Sequence, residues 1–225
     1  MVRQLPLWNP KAIWLTLLLA IGFIVTPPVN AQRPDLLVHL AGSYTCFNGN
    51  LSTSGISEVD YRWGPRLGIG CEIPVGELPH LNSSVQTYLV YAIKGFRATF
   101  DGLGIKGRGR TVLHTLEVPF LYNLSYTYLL PVLIFANAGP YIGLGLASRQ
   151  IFNAAEKENQ GAAVNLYQTE GGLKRLEVGL QIGAGVEWNR LQLALNYQFG
   201  LLNQAQQPQQ RYLAQGGIIS LGIRF

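Results

Sequence analysis

Along residues 175–188 apolar and polar side chains alternate with a period of two. Leu176, Val178, Leu180, Ile182, Ala184, Val186 and Trp188 fall on one face; Arg175, Glu177, Gly179, Gln181, Gly183, Gly185 and Glu187 fall on the other. Successive side chains of a strand point to opposite sides, so the pattern predicts a strand with one apolar and one polar face. Residues 191–199 repeat it, with Leu191, Leu193, Leu195, Tyr197 and Phe199 opposed to Gln192, Ala194, Asn196 and Gln198. Only Asn189-Arg190 separates the two segments, the spacing of a tight hairpin. At the end of the chain, Ile219, Leu221, Ile223 and Phe225 oppose Ser220, Gly222 and Arg224.

Weaker alternation marks five earlier segments, 36–46, 62–74, 84–95, 111–126 and 130–147. With 175–188, 191–199 and 218–225 they make eight strands, an even number, as single-chain bacterial barrels have. The connections alternate in length. Residues 47–61, 96–110, 148–174 and 201–212 are long, whereas 75–83, 127–129 and 189–190 are short. Long loops at one rim and short turns at the other is the plan of an up-and-down transmembrane β-barrel, and it places both termini on the short-turn, periplasmic side.

The first 31 residues follow a different rule. Arg3 and Lys11 precede an apolar stretch over 12–25, then Pro27 and Pro28, then Val29-Asn30-Ala31 before Gln32. A basic start, a short apolar core and small residues at the end define a cleavable signal peptide, here 1–31 with cleavage between Ala31 and Gln32. The apolar core is short for a membrane-spanning helix. Residues 32–225 are then the barrel domain, and no later segment is long and apolar enough for a helical span.

Period two does not say which face meets lipid, because a soluble lipocalin-like barrel alternates with its faces exchanged. Composition decides. Charged residues are 13% of the chain, about half the usual share, and there are 26 glycines and 11 tyrosines. The polar faces hold glycines and a balanced charge set: Arg66, Glu72, Lys94, Glu117, Arg175, Glu177, Glu187 and Arg224. A water-exposed surface calls for more Lys and Glu and fewer Gly. Aromatic residues near strand ends, Trp63, Tyr122, Tyr126, Tyr128, Trp188 and Phe199, suit interfacial girdles. The eight charges are therefore expected to form a lumenal ion-pair network that fills a barrel too narrow for an aqueous channel.

Net charge is +5, or about +3 without Arg3 and Lys11, too weak to argue for nucleic acid. Cys46 and Cys71 provide neither a disulfide framework nor metal spacing. The sequence Gly102-Leu-Gly104-Ile-Lys-Gly107 spells a dinucleotide motif but lacks the strand-to-helix setting. Residues 203–210 (NQAQQPQQ) read as a flexible loop tip. A lipid-modifying site needs a His, a hydroxyl and an acid together. His39 is expected in the lumen, His80 in a periplasmic turn and His114 near the outer rim facing lipid, so no catalytic residue, cofactor or metal ligand is assigned. Arg97, Lys106, Arg108 and Arg110 cluster in the second long loop as a candidate contact for lipopolysaccharide phosphates.

The terminal strand ending on Phe225 resembles the insertion signal of bacterial outer-membrane barrels. The stretches Leu116-Glu-Val-Pro-Phe-Leu-Tyr, Ala138-Gly-Pro-Tyr-Ile-Gly, Gly183-Ala-Gly-Val-Glu and Leu195-Asn-Tyr-Gln-Phe-Gly-Leu-Leu-Asn resemble the PorT-like outer-membrane β-barrel family common in Bacteroidetes. Tyr88–Gly95 resembles that family's third strand, where a glutamate is more usual than Tyr88. A barrel too narrow to conduct is expected to have a structural or interaction role without a transport pore, and the resemblance implies a Gram-negative outer-membrane protein, an accessory to a secretion or envelope complex. Its expected partners are outer-membrane lipid and lipopolysaccharide, the barrel-assembly machinery during biogenesis, and envelope proteins reached through the long loops. The alternatives are a lipid-modifying outer-membrane enzyme and a soluble lipocalin-like carrier.

Overall fold

The computed structural model describes residues 34–48, 56–78, 80–102, 105–129, 131–154, 165–168, 172–207 and 210–225. The signal peptide and its cleavage residues Ala31 and Gln32 lie outside the described residues. Eight strands run in chain order: β1 (Asp35–Asn48), β2 (Ile56–Leu78), β3 (Leu81–Gly102), β4 (Ile105–Leu129), β5 (Val132–Ala154), β6 (Leu176–Trp188), β7 (Leu191–Gly200) and β8 (Leu213–Arg224). Each pairs antiparallel with the next, and β1 pairs with β8 from Leu37↔Arg224 to Asn48↔Leu213, so the sheet is a closed barrel. Closure removes both edges, which is what lets strands satisfy every backbone group in lipid.

The apolar set faces outward. Leu40 on β1 is 60% exposed and Leu195 on β7 is 62%, while Glu117 and Ser43 on the inner face are 0%. A soluble carrier requires the reverse. At the end where the chain finishes, the β6–β7 turn places Asn189 and Arg190 at φ 47° and 73°, the left-handed pair that matches strand twist. Arg224 N donates to Arg190 O, and Phe225 N to Leu36 O, both at 2.9 Å, so this turn and both ends of the barrel chain share one rim.

The strands are taller than the alternation predicts. β2, β3, β4 and β5 have 23, 22, 25 and 23 residues, against 13 in β6 and 10 in β7. About 9–11 residues cross a bilayer, so these four project well past it on the side away from the β6–β7 turn. Residues 96–102 and 105–110, expected as a long loop, are instead a paired ribbon with Arg97↔Arg110 and Thr99↔Arg108 in register. Beyond the lipid the outer face meets water and carries Arg97, Arg108 and Arg110 while the inner face holds the buried Ala98 and Gly109, so an apolar outer face no longer marks the strand. Backbone pairing to β5 (Arg110↔Ile151, Arg108↔Asn153) carries it.

Many inward glycines are slots for rings. A Cβ on Gly70 would come within 2.6 Å of Tyr88 Cδ1, and one on Gly179 within 2.5 Å of Tyr141 Cε1. Gly185 lies the same way against Phe135, and Gly68 against His39. Each ring covers its register partner on the neighbouring strand, as in Tyr88↔Gly70 and Tyr141↔Gly179. The lumen is also apolar on one side, where Leu37, Tyr88, Val90, Ala92 and Leu121 pack together.

Candidate functional site

Two layers of charge brace the lumen. In the first, Glu117 on β4 is fully buried. Its Oε2 accepts from Arg66 Nη2 at 2.6 Å and from Gln198 Nε2 at 3.1 Å; its Oε1 accepts from Thr115 Oγ1 at 3.1 Å. Lys94 Nζ lies 2.6 Å from Glu117 Oε1 and 2.9 Å from Glu177 Oε1. Glu177 Oε1 also accepts from Tyr141 Oη at 2.6 Å. Two cations thus meet two carboxylates, drawn from β2, β3, β4 and β6, with Tyr141 of β5 and Gln198 of β7 completing the bonding. A buried ion pair is favourable only when its remaining bonding capacity is met, and these partners meet it.

The second layer sits at the rim where the chain ends. Arg224 on β8 donates to Glu187, with Nη1 3.6 Å from Asp35 Oδ2 and 3.7 Å from Glu72 Oε2. Glu72 Oε1 accepts from Ser84 Oγ and, at 3.3 Å, from Asn123 Nδ2. Gln192 Nε2 donates to Glu187 Oε2 at 2.9 Å. One guanidinium serves three carboxylates.

Between the layers lies a cavity of about 40 Å³, bordered by Arg66, Gln86, Tyr88, Asn137, Asn196 and His39 among others. Small-molecule sites run to about 300 Å³ or more, so this space suits a few water molecules. The side-chain atoms His39 Nε2, Gln86 Nε2, Asn137 Oδ1 and Asn196 Oδ1 make no protein hydrogen bond and border it.

A cap covers the taller rim. Leu173 packs with Phe47, Leu113 and Ala214, and Leu166, Tyr167 and Tyr212 pack against them. Backbone bonds tie this segment to residues 201–212: Leu173 pairs with Ala205, and Lys174 N donates to Gln204 O at 2.7 Å. Asn203, expected in a flexible tip, instead anchors it, with Oδ1 accepting from Ala205 N and Tyr212 N. Burial, helped by the Glu177 charge, pushes the Tyr167 phenol up, so it stays neutral.

Arg175 belongs to this cap rather than to the carboxylate layers. Its Nη1 donates to Gly145 O at 3.1 Å and Leu146 O at 3.0 Å, and its guanidinium lies 5.3 Å from the Tyr167 ring centre. The reason is local. Pairing of β5 with β6 stops at Leu144↔Leu176, which leaves those β5 carbonyls without a strand partner. Sequence reasoning named neither Asp35, Gln198 and Tyr141 nor Asn123 as partners of the lumenal charges. Their inward register was the available signal.

Outside the barrel, Arg97, Arg108 and Arg110 are exposed on the β3–β4 ribbon, and Arg149 is exposed on β5 opposite Val112. Arg149 was not singled out from sequence. Lys106 pairs with Asp101 at the ribbon's end; its side chain lies outside the described residues. Just below, Tyr91 Oη and His114 Nδ1 are 2.6 Å apart on the outer face, so a phenol rather than a carboxylate orients this histidine. His39 lies against Tyr88 in the lumen, with ring centres 4.4 Å apart and ring planes tilted by 35°, and His80 is exposed beyond β2. Cys46 and Cys71 are both free, Cys46 buried and Cys71 half-buried. Among the described residues no group of His, Cys, Asp and Glu has the geometry of a metal site.

An all-β ring with an apolar exterior, a packed charged lumen and no described edge defines a transmembrane β-barrel protein of the bacterial outer membrane. The chain belongs to the family of the outer membrane protein beta-barrel domain, whose model matches residues 30–206. The match ends before β8, the strand that closes the ring. No curated protein matches the sequence. Among solved structures, the chain is similar to the outer membrane protein OprG from Pseudomonas aeruginosa, at 10% identity and a TM-score of 0.46, covering 87% of this chain and 97% of that one. It is similar to the outer membrane enzyme PagL at 13% identity and a TM-score of 0.44, covering 81% and 98%. It is also similar to Neisserial surface protein A at 10% identity and a TM-score of 0.39, covering 86% and 100%.

Proposed function

We propose that this barrel is a non-conducting interaction protein of the Gram-negative cell envelope, an accessory to a secretion or envelope complex as the PorT-like resemblance implies. The observation that supports this reading is the filled lumen: two ion-pair layers, a cavity of only about 40 Å³ between them and an apolar cap above. Such a barrel works through its surfaces. The short-turn rim, with both ends of the barrel chain, faces the periplasm, and the tall β2–β5 wall faces outward. Residues 1–31 direct export and are cleaved before Gln32, and Phe225, 63% exposed, supplies the insertion signal read by the assembly machinery.

The test is conductance in planar bilayers. The purified barrel is expected to insert without unit conductance steps, before and after deletion of cap residues 165–168. Steady ohmic conductance of the intact barrel would overturn the reading.

A further inference from the structure

We propose that the outer face of β3–β5 is a binding site for the phosphate groups of lipopolysaccharide, held by Arg97, Arg108, Arg110 and Arg149. The proposal rests on the orientation given above, with the tall wall in the outer leaflet.

The register brings the four arginines together. Arg97 and Arg110 are direct cross-strand partners, and like charges in that position repel when nothing lies between them. Arg108 is two residues further along β4 on the same face, opposite Thr99. On the other side of β4, Val112 pairs with Arg149, whose exposed side chain shares the outer face. The charges of Arg97 and Arg110 reach Arg62 on β2 as well. No described carboxylate forms an ion pair with any of the four; Asp60 stands beside Arg97 in register. A repelling array of guanidinium groups is stabilised by a multivalent oxyanion, and the planar fork of arginine matches phosphate oxygens in pairs.

Position selects a lipid as the bearer of that phosphate. On β3 and β4 the arginines begin where the apolar exterior stops, and on β5 Arg149 lies between the outward Leu146 and Ile151. On β3 the outward sequence runs Leu89, Tyr91, Ile93 and then Arg97; on β4 Leu116, His114, Val112 and then Arg110; on β5 Leu144, Leu146 and then Arg149. Leu144 and Leu146 are 48% and 44% exposed, so acyl chains have a surface to lie on beneath the cations. The hydrogen-bonded Tyr91–His114 pair sits at the boundary, where an amphipathic side chain is at home. An apolar strip topped by a cationic one complements a phosphorylated acylated sugar, with phosphates level with the arginines and chains level with the leucines.

The full barrel in phosphatidylcholine nanodiscs is titrated with bisphosphorylated lipid A, with the same lipid after phosphatase treatment, and with inorganic phosphate. Lipid A is expected to bind, and both removal of its phosphates and the variant R97Q/R110Q/R149Q are expected to weaken binding by about tenfold or more. The single variant R149Q, with heat-shifted gel migration as the check on folding, is expected to weaken it in the same direction, and the phosphatase arm needs no variant. Equal binding of the dephosphorylated lipid, or undiminished binding by folded R97Q/R110Q/R149Q, overturns the proposal. Inorganic phosphate competing as strongly as lipid A overturns the assignment to a lipid. Binding is read on isolated barrels and conductance separately, so either reading can fail without the other.

Discussion

Glu117→Gln removes one charge from the centre of the first lumenal layer and little else. Arg66 then loses its one carboxylate partner among the described residues and keeps the Gln198 carbonyl, 3.3 Å from Nη1. Lys94 keeps Glu177 at 2.9 Å. Two buried cations are left facing one carboxylate. Removing one partner of a buried ion pair costs about 3–5 kcal/mol, and because Lys94 retains its second partner we expect about 3–4 kcal/mol. Removing Arg66 as well, in the double variant R66M/E117Q, restores the balance of one cation and one carboxylate and is expected to recover at least about 1 kcal/mol relative to the sum of the single losses. The assay is urea unfolding of the barrel in lipid vesicles, followed by the fluorescence of Trp63 and Trp188, which are 59% and 57% exposed on the lipid face and change surroundings on unfolding. A loss below about 1 kcal/mol for E117Q, or strict additivity in the double variant, would refute the claim that this layer is an interdependent network.

Two further substitutions act in opposite directions. Gly179→Ala places a methyl against the Phe199 carbonyl oxygen and the Tyr141 ring and should displace the Tyr141 Oη from Glu177, costing about 1–3 kcal/mol in the same unfolding assay. Arg190→Gly turns the β6–β7 loop into Asn-Gly and relieves a side chain held at φ 73°, so it should stabilise by about 1 kcal/mol and raise the urea midpoint.

The membrane-crossing part of the barrel was written plainly in the chain, because lipid on one side and a charged lumen on the other force strict alternation. Thus Leu176 to Trp188 and Leu191 to Phe199 read correctly from periodicity alone. What failed to read were the projections of β2–β5. There Gly107-Arg108-Gly109-Arg110 looks like a loop, since an outer face in water carries arginines instead of apolar residues and only long-range pairing makes it a strand. The role of the glycines was also hidden. Gly143 does leave room for the charged side chains of Glu117 and Glu177, whereas Gly70 and Gly179 make room for the rings of their register partners, a relation that exists only once register is known. Arg175 misled for a similar reason: it has inward parity but stands just beyond the last β5–β6 pair, where bare carbonyls claim it.

The join between β1 and β8 also sets an order of events. Asp35, Glu72 and Glu187 lie at one mouth of the ring, and the cation that serves all three is Arg224, at the end of the last strand. Until β8 is delivered, these carboxylates face one another uncompensated and the sheet keeps two open edges. Arrival of β8 closes the seam and sets a cation among the acids in the same step, so that premature closure by β7 onto β1 would carry a larger electrostatic penalty than correct closure does. The arginine acts as a latch that only the complete set of staves can fasten, which guards a chain whose first and last strands must wait longest to meet.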